Sequence, residues 1–223
     1  MSDNYTWHFG LIWDFRGVFL RGAGVTLSLA VGALLIAMVL GLILGMLRAS
    51  KRRYLSAPTM VYIEFFRSTP TLVQLVWIYY SLPILTGIQL GSFVAVMLGL
   101  GLHSGAYMAE IFRAGINSID QGQWDAARSI GMSHMRAARR IILPQAVRRM
   151  IPPFINEFAN LMKLTTLGSV VAVYELLHES DNLIASTYRP LEIYTTLAIV
   201  FAIIIFPFIF ASQRLELYWR ARS

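Results

Sequence analysis

The chain has 223 residues, 57% of them hydrophobic and only 14% charged, and a formal charge of +7. Ordinary globular domains average about 25% charged residues, so this balance excludes a typical soluble domain and points to one compact membrane domain. With no cysteine in the sequence, a disulfide framework, a thiolate zinc site and a cysteine nucleophile are also excluded.

The opening MSDNYTWHFGLIWDFRGVFLRG lacks a basic, short-apolar, small-residue cleavage pattern, so no removable signal peptide is expected. Trp7, Phe9, Trp13, Phe15 and Phe19 predict an interfacial segment, because amphipathic rings favour the headgroup level. Crossing about 30 Å of hydrocarbon takes about 20 apolar residues as helix. Five such runs occur, near 25–47, 60–82, 92–112, 151–173 and 193–212. The expectation is therefore an all-α integral membrane fold with five transmembrane helices.

In the first span Gly41 and Gly45 form a small-xxx-small pair suited to close backbone packing. The second is interrupted by Glu64, Arg67 and Pro70. The two charges, at i and i+3, predict a local ion pair ahead of a proline kink, a structural or gating hinge. Gln74, one turn beyond, is a candidate pocket residue. In the third span His103, Tyr107 and Glu110 share a face at i, i+4, i+7, with Ser104 beside them. In the fourth, Asn156, Asn160 and Lys163 repeat that spacing, with Glu157 about a hundred degrees around. Ionisable groups in spans cost at least about 2.5 to 3.5 kcal/mol at the centre, so both stripes should face the bundle interior. Ser104, Tyr107, Asn156, Glu157 and Asn160 are candidates for a path for a small polar solute. Pairing with neighbours, as between Glu110 and Arg113, is the alternative, and Lys163 falls with the structural or gating residues. No internal repeat supports an inverted-repeat transporter in one chain.

Basic residues cluster in three places: Arg48, Lys51, Arg52 and Arg53; Arg113 to Arg149; and Arg214, Arg220 and Arg222. With five spans these share one side, which the positive-inside rule makes cytoplasmic. Beside membrane spans such charge reads as topology, not as a nucleic-acid surface. The loop 174–192 holds Glu175, Glu179, Asp181 and Glu192 against Arg189, as an outside loop can. The N-terminus is expected outside and the C-terminus inside.

Residues 113–149 form a cytoplasmic segment too long for a turn. Asp125 has the position of an acidic cap or first-turn residue, and Ala126 and Ala127 form helix with almost no side chain to obstruct a partner. Gly131 suits a left-handed helix stop, Ser133 the next cap, and Pro144 an interruption. Two short helices with an elbow at Gly131 are predicted.

The order Asp125-Ala126-Ala127, Gly131, Ile141, Leu143-Pro144 resembles the EAA loop of bacterial ABC importer permeases, with Asp125 where Glu is usual. The segment 64-EFFRSTPTLVQL-75 resembles the polar amino acid branch, the histidine, glutamine and glutamate type, with Ser68 where Gly is commoner. So do 109-AEIFRAGINSIDQGQ-123 and 156-NEFANLMKLTTL-167, in which Leu164 replaces a frequent Asp. The resemblance covers about residues 20 to 215. It implies a type I ABC importer permease fold over residues 1–223, a single transmembrane permease domain in a bacterial cytoplasmic membrane. Asp125, Ala126, Ala127, Arg128, Gly131, Met132, Ile141, Leu143 and Pro144 would couple it to an ATPase. The implied partners are two copies of an ATP-binding subunit, a second permease chain of the same or a related kind, and an extracytoplasmic amino-acid-binding protein. ATP and Mg would reside in the ATPase, because this chain has no G-x-x-x-x-G-K-[ST] loop to cradle phosphates. It is expected to be non-catalytic, with no cofactor or metal of its own. The competing reading is an ion-coupled secondary transporter or channel. It uses the polar stripes but leaves the Ala-Ala-Gly-Leu-Pro spacing unexplained.

Overall fold

The computed structural model describes residues 5–50 and 52–220. Lys51 and Arg222, counted above among the basic residues, lie outside them. Helices α1 (Gly10–Asp14), α2 (Arg16–Arg48), α3 (Arg53–Ser68), α4 (Thr71–Val76), α5 (Leu82–Thr86) and α6 (Ser92–Asn117) come first. They are followed by α7 (Gln121–Ser129), α8 (His134–Ala137), α9 (Leu143–Leu164), α10 (Leu176–Thr187) and α11 (Pro190–Arg220), and no strand occurs among the described residues. Among them α2, α6 and all of α11 but its last residue are long and apolar enough to cross a membrane.

The central pair is α2 and α6. Along α2, Ala30, Ala33, Ala37, Gly41 and Gly45 are buried. A Cβ on Gly45 would lie 2.9 Å from both Ala109 O and Phe112 Cβ, and one on Gly41 would collide with Met108. The contact is reciprocal: a Cβ on Gly101 would meet Ile36 at 2.7 Å, and one on Gly105 would meet Leu40 at 2.8 Å. Because Gly32 faces Met97 and Gly45 faces Phe112, the two helices run parallel. The intervening chain must therefore return antiparallel.

That return departs from the predicted continuous span 60–82. The helix stops at Ser68, with Thr69 (ψ 143°) and Pro70 (ψ 132°) extended, because the proline ring drives the residue before it out of helical space. Gln74 repairs the break, donating from Nε2 to Phe66 O at 2.9 Å, Thr69 O at 3.0 Å and Thr69 Oγ1 at 2.7 Å. Nor do Glu64 and Arg67 pair as expected. Both are exposed, and the ion pairs among the described residues are Arg113–Glu110 and Arg189–Glu192. The Arg67 guanidinium lies over the Tyr107 ring, 5.4 Å from its centre, which lets it keep both solvent and a π-face.

Helix α9 runs antiparallel to α6, with Met150 against Gly115, Phe154 on Phe112 and Glu157 bonded to Ser104. Its predicted extent, 151–173, is corrected at both ends. The helix begins before Ile151, and Pro144 does not interrupt it: a π turn at Ala138–Ile142 leads directly into Leu143-Pro144, as another at Trp77–Ser81 leads into Leu82-Pro83. In each, the leucine N–H reaches five residues back, to Ala138 O or Trp77 O, and the widened turn accommodates a proline that has no N–H to donate. At the other end Thr165 and Thr166 bond back to Met162 O and Lys163 O, and the chain tightens into a 3-10 turn over Thr165–Val171. Helix α11 packs antiparallel on α9, with Phe208 on Phe158 and Ser212 Oγ donating to Pro152 O.

The acidic stretch predicted as a loop contains α10. Leu176 and Leu183 are buried beside Phe19, Ile193 and Leu197, so this helix caps the end of the bundle opposite the basic loops. Glu175 is its N-cap, the carboxylate accepting from Leu177 N–H at 2.9 Å and His178 N–H at 2.8 Å. Tyr5 and the His8 N–H bind Glu192 at the same end, where Arg189 pairs with it at 3.5 Å. Trp7, Phe9 and Trp13 stay exposed, as an interfacial segment requires, while Phe19 is buried.

Gly45→Val should destabilise the fold by about 1–3 kcal/mol through overpacking, while Gly24→Ala, inside the same helix with open space around its Cβ, should stabilise it by up to about 1 kcal/mol; thermal unfolding in detergent checks both. Burial outweighs the two backbone N–H groups at Glu175 and pushes its pKa from the ordinary 4.5 up to about 7. The folded protein therefore holds this proton where the unfolded chain has lost it. Its contribution to stability is full below about pH 4.5 and is lost as pH rises through about 7. Glu175→Gln should flatten that part of the pH dependence of the melting temperature.

Candidate functional site

Two regions carry the sequence-predicted residues. The first is a helical hairpin at the basic end of the bundle. Asp120, not Asp125, caps α7, its carboxylate accepting the Gly122 N–H. Asp125 lies in the middle of the helix, within 3.5 Å of Gln121 Nε2. The cap sits one turn earlier because α6 ends at Asn117, and Asp120 is the first side chain placed to take the free N–H groups of α7.

The elbow forms as expected at Gly131, whose φ is +76°. Met132 N–H donates to Ala127 O at 3.1 Å and Gly131 N–H to Arg128 O at 2.9 Å, the paired bonds of a Schellman stop. A left-handed backbone with a β-carbon is strained, so glycine fits here. Ser133 follows as the cap of α8 by backbone conformation, without a side-chain bond.

The alanine pair divides. Ala126 is exposed beside Asp125 and Arg128, whereas Ala127 is buried and, with Ala137, lets α7 fold down on α8 and the π turn. The sequence reading missed four residues here. Trp124 stacks on His134, with ring centres 4.5 Å apart, and holds the hairpin closed. Ile130 and Met135 flank the elbow with 75% and 68% of their surface exposed. An aromatic at one helix and a histidine just past the glycine were the available signal for the stack. Leu143 and Pro144 are exposed and Met132 and Ile141 half-buried. A cluster of Ile119, Ile142, Ala146 and Met150, with Trp124 against it, anchors the hairpin to α6 and α9.

The second region is a polar face shared by α6 and α9. Asn156, Asn160 and Lys163 line one exposed side of α9, as their spacing predicts. Glu157 is buried next to them, accepting from Ser104 Oγ at 2.8 Å. His103 is buried, within 3.2 Å of both Gln74 Oε1 and Thr71 Oγ1, so it is a satisfied interior histidine tied to the α3–α4 break. Its ring sits 5.1 Å from that of Tyr107. Glu110 pairs with Arg113 through Nε (3.0 Å) and Nη2 (2.6 Å). Lys163 borders a cavity of about 520 Å³ walled by Phe201, Ile205 and Phe206. Gln74, with its amide donors occupied by the break, joins this face through His103 alone.

The hairpin is rooted where α6 ends and α9 begins, in the same two helices that carry the polar face. A movement of α7 therefore reaches both helices that carry polar groups. The arrangement can pass a mechanical displacement, and it assembles no nucleophile, base and orienting group among the described residues.

Comparison with known proteins agrees with this geometry. The chain is 39% identical over 195 residues to a probable amino-acid permease, YxeN, of Bacillus subtilis, covering 85% of this chain and 87% of that one. It is 35% identical over 206 residues to the glutamine transport system permease GlnP of Escherichia coli, covering 92% and 94%. Among solved structures it matches an amino acid ABC transporter with histidines at a TM-score of 0.87 and 34% identity, over 97% of this chain and all of that one. It also shares its fold with the MetNI methionine ABC transporter in an inward-facing conformation, at a TM-score of 0.75 and 20% identity, over 91% and 96%. The helical architecture is that of type I ABC importer permeases. The model of the binding-protein-dependent transport system inner membrane component matches residues 20–219, and the chain belongs to that family.

Proposed function

We propose that this chain is the membrane-spanning permease subunit of an ATP-driven importer of polar amino acids, with residues 1–223 as one transmembrane domain. The single observation that carries the reading is the coupling hairpin. A short helix with Ala126 on its exposed side is locked by a glycine elbow and rooted in the two helices that bear the polar face. Ile130 and Met135 offer apolar contact beside the elbow, and Arg128 offers charge. Two copies of an ATP-binding subunit would engage two such hairpins. ATP and Mg would act there, leaving this chain non-catalytic.

In this reading the chain would pass through the bilayer five times, with the N-terminus outside and the C-terminus inside a bacterial cytoplasmic membrane; the three long apolar helices α2, α6 and α11 support it. The second pass would be the broken α3–α5 segment and the fourth α9 with its 3-10 turn. The exposed stripe of Asn156, Asn160 and Lys163 is costly against lipid. A second permease chain, identical or related, would cover it and enclose the path between the two. Glu157 and Asn160 would meet the solute, Ser104 would position Glu157, and Gln74 and Pro70 would hold the hinge through which α3 moves. A binding protein would deliver the amino acid at the end capped by α10. The relatives' glutamine and amino-acid names support the substrate class.

Vesicles containing the permease, its ATPase subunit and the binding protein should accumulate amino acid only with ATP inside the ATPase compartment. Uptake driven by an ion gradient without the ATPase would instead establish a secondary transporter. Gly131→Val should leave the chain inserted and the ATPase bound yet lower the amino acid moved per ATP hydrolysed, because a β-branched residue resists φ of +76°. Glu157→Gln should change transport rate or solute preference with assembly intact; gel filtration alongside uptake reads both.

A further inference from the structure

A cavity outside these roles is lined by charged side chains. It measures about 470 Å³, within the range of about 300–1,000 Å³ usual for small-molecule pockets. It opens at the basic end of the bundle between α3, α6 and α9. Arg67 and Arg149 stand on its walls with Tyr107 and Glu110, and Ile111 and Pro153 contribute apolar surface. Helical spacing places Arg149 and Pro153 on the same side of α9 as Asn156, Asn160 and Lys163, and Tyr107 and Glu110 continue the side of α6 that starts at His103. The cavity is therefore the inner end of the polar face.

Its charge is specific. Glu110 is engaged by Arg113 at 2.6 Å, so that pair is close to neutral, while neither Arg67 nor Arg149 forms an ion pair with a carboxylate among the described residues. Arg67 is held over Tyr107, and Arg149 donates to the Ser118 carbonyl. Two guanidinium groups over an apolar floor match a carboxylate on a short aliphatic body, since Arg meets carboxylates through paired, charge-assisted bonds. Glu110, whose carboxylate has about four acceptor sites, keeps capacity for an ammonium after binding Arg113.

We propose that this cavity is a second, cytoplasm-facing site for the transported amino acid, with Arg67 and Arg149 binding its carboxylate and Glu110 its ammonium. The proposal rests on the amino acid import reading. Its position adds a consequence. Ser118 precedes the Asp120 cap of α7, so an arginine drawn to a bound carboxylate loosens its hold on the root of the coupling hairpin. Accumulated product at this site slows the ATPase.

The test begins by assaying uptake of the twenty amino acids into vesicles containing the complete transporter. Absence of any uptake refutes the import reading itself. The amino acid that is taken up is then titrated onto the complex in nanodiscs without binding protein, reading Kd and ATPase rate. Arg67→Gln and Arg149→Gln should each raise Kd about tenfold or more and relieve ATPase inhibition. Arg67→Lys and Arg149→Lys should retain part of the affinity, and Arg148→Gln should match wild type. Unchanged Kd in both glutamine variants, or no binding to wild type, with uptake intact, overturns the second site and leaves the import reading standing. Binding to wild type in phosphatidylcholine that vanishes in phosphatidylglycerol assigns the arginines to a lipid phosphate and overturns the amino acid as their ligand.

Discussion

The close approach of α2 and α6 is the constraint from which the rest of the molecule follows. Where apolar helices meet in an apolar solvent, burial gives little preference for one contact over another, and shape decides. Glycines and alanines on α2 face glycines on α6 so closely that side chains of one helix lie against the backbone of the other. Dispersion contacts over that length fix both axial position and rotation. Fixing the rotation of α6 aims His103, Ser104 and Tyr107 away from α2, toward the helices that complete the polar face.

A pair so tightly joined is a poor place for movement. The irregular elements lie around it: the extended Thr69-Pro70 step, the two π turns, the 3-10 turn after α9 and the glycine elbow. Each is backed by a specific bond, and among the described residues no buried side-chain nitrogen or oxygen lacks a partner. Gln74 is the clearest case. It supplies the break with a donor and reaches His103 with its oxygen, so displacement at the hinge is felt by the interior histidine.

Features that depend on backbone chemistry were readable in the sequence. Gly41 and Gly45 announced a close contact because nothing else explains two helix-weakening residues one turn apart in an apolar run. Gly131 announced its elbow because a left-handed stop favours a residue without a β-carbon. The spacing of Asn156, Asn160 and Lys163 gave their common side. Features that depend on which of several polar groups reaches a given partner were less readable. Asp120 and Asp125 are equally good caps by type, and only the end of α6 selects between them. Glu64 and Arg67 have the spacing of an ion pair, yet Tyr107, forty residues away, offers the arginine a better place. The acids of α10 concealed a helix whose burial rests on Leu176 and Leu183, too few apolar positions to show a period.

The two π turns have an effect on the phase of the chain. A π turn holds one residue more than the α-helix it interrupts, so everything after it is rotated by about a hundred degrees relative to an uninterrupted helix. The second π turn lies between the elbow and the whole of α9. Removing one residue from 138–142 would restore regular winding and leave the asparagine stripe pointing where it does now, whereas removing a residue elsewhere between the elbow and Asn156 would turn the stripe by about a hundred degrees against the hairpin. The angle between the exposed face of the hairpin and the polar face of α9 is thus written into the chain as a whole-residue count. It can change in steps of one amino acid and by no smaller amount.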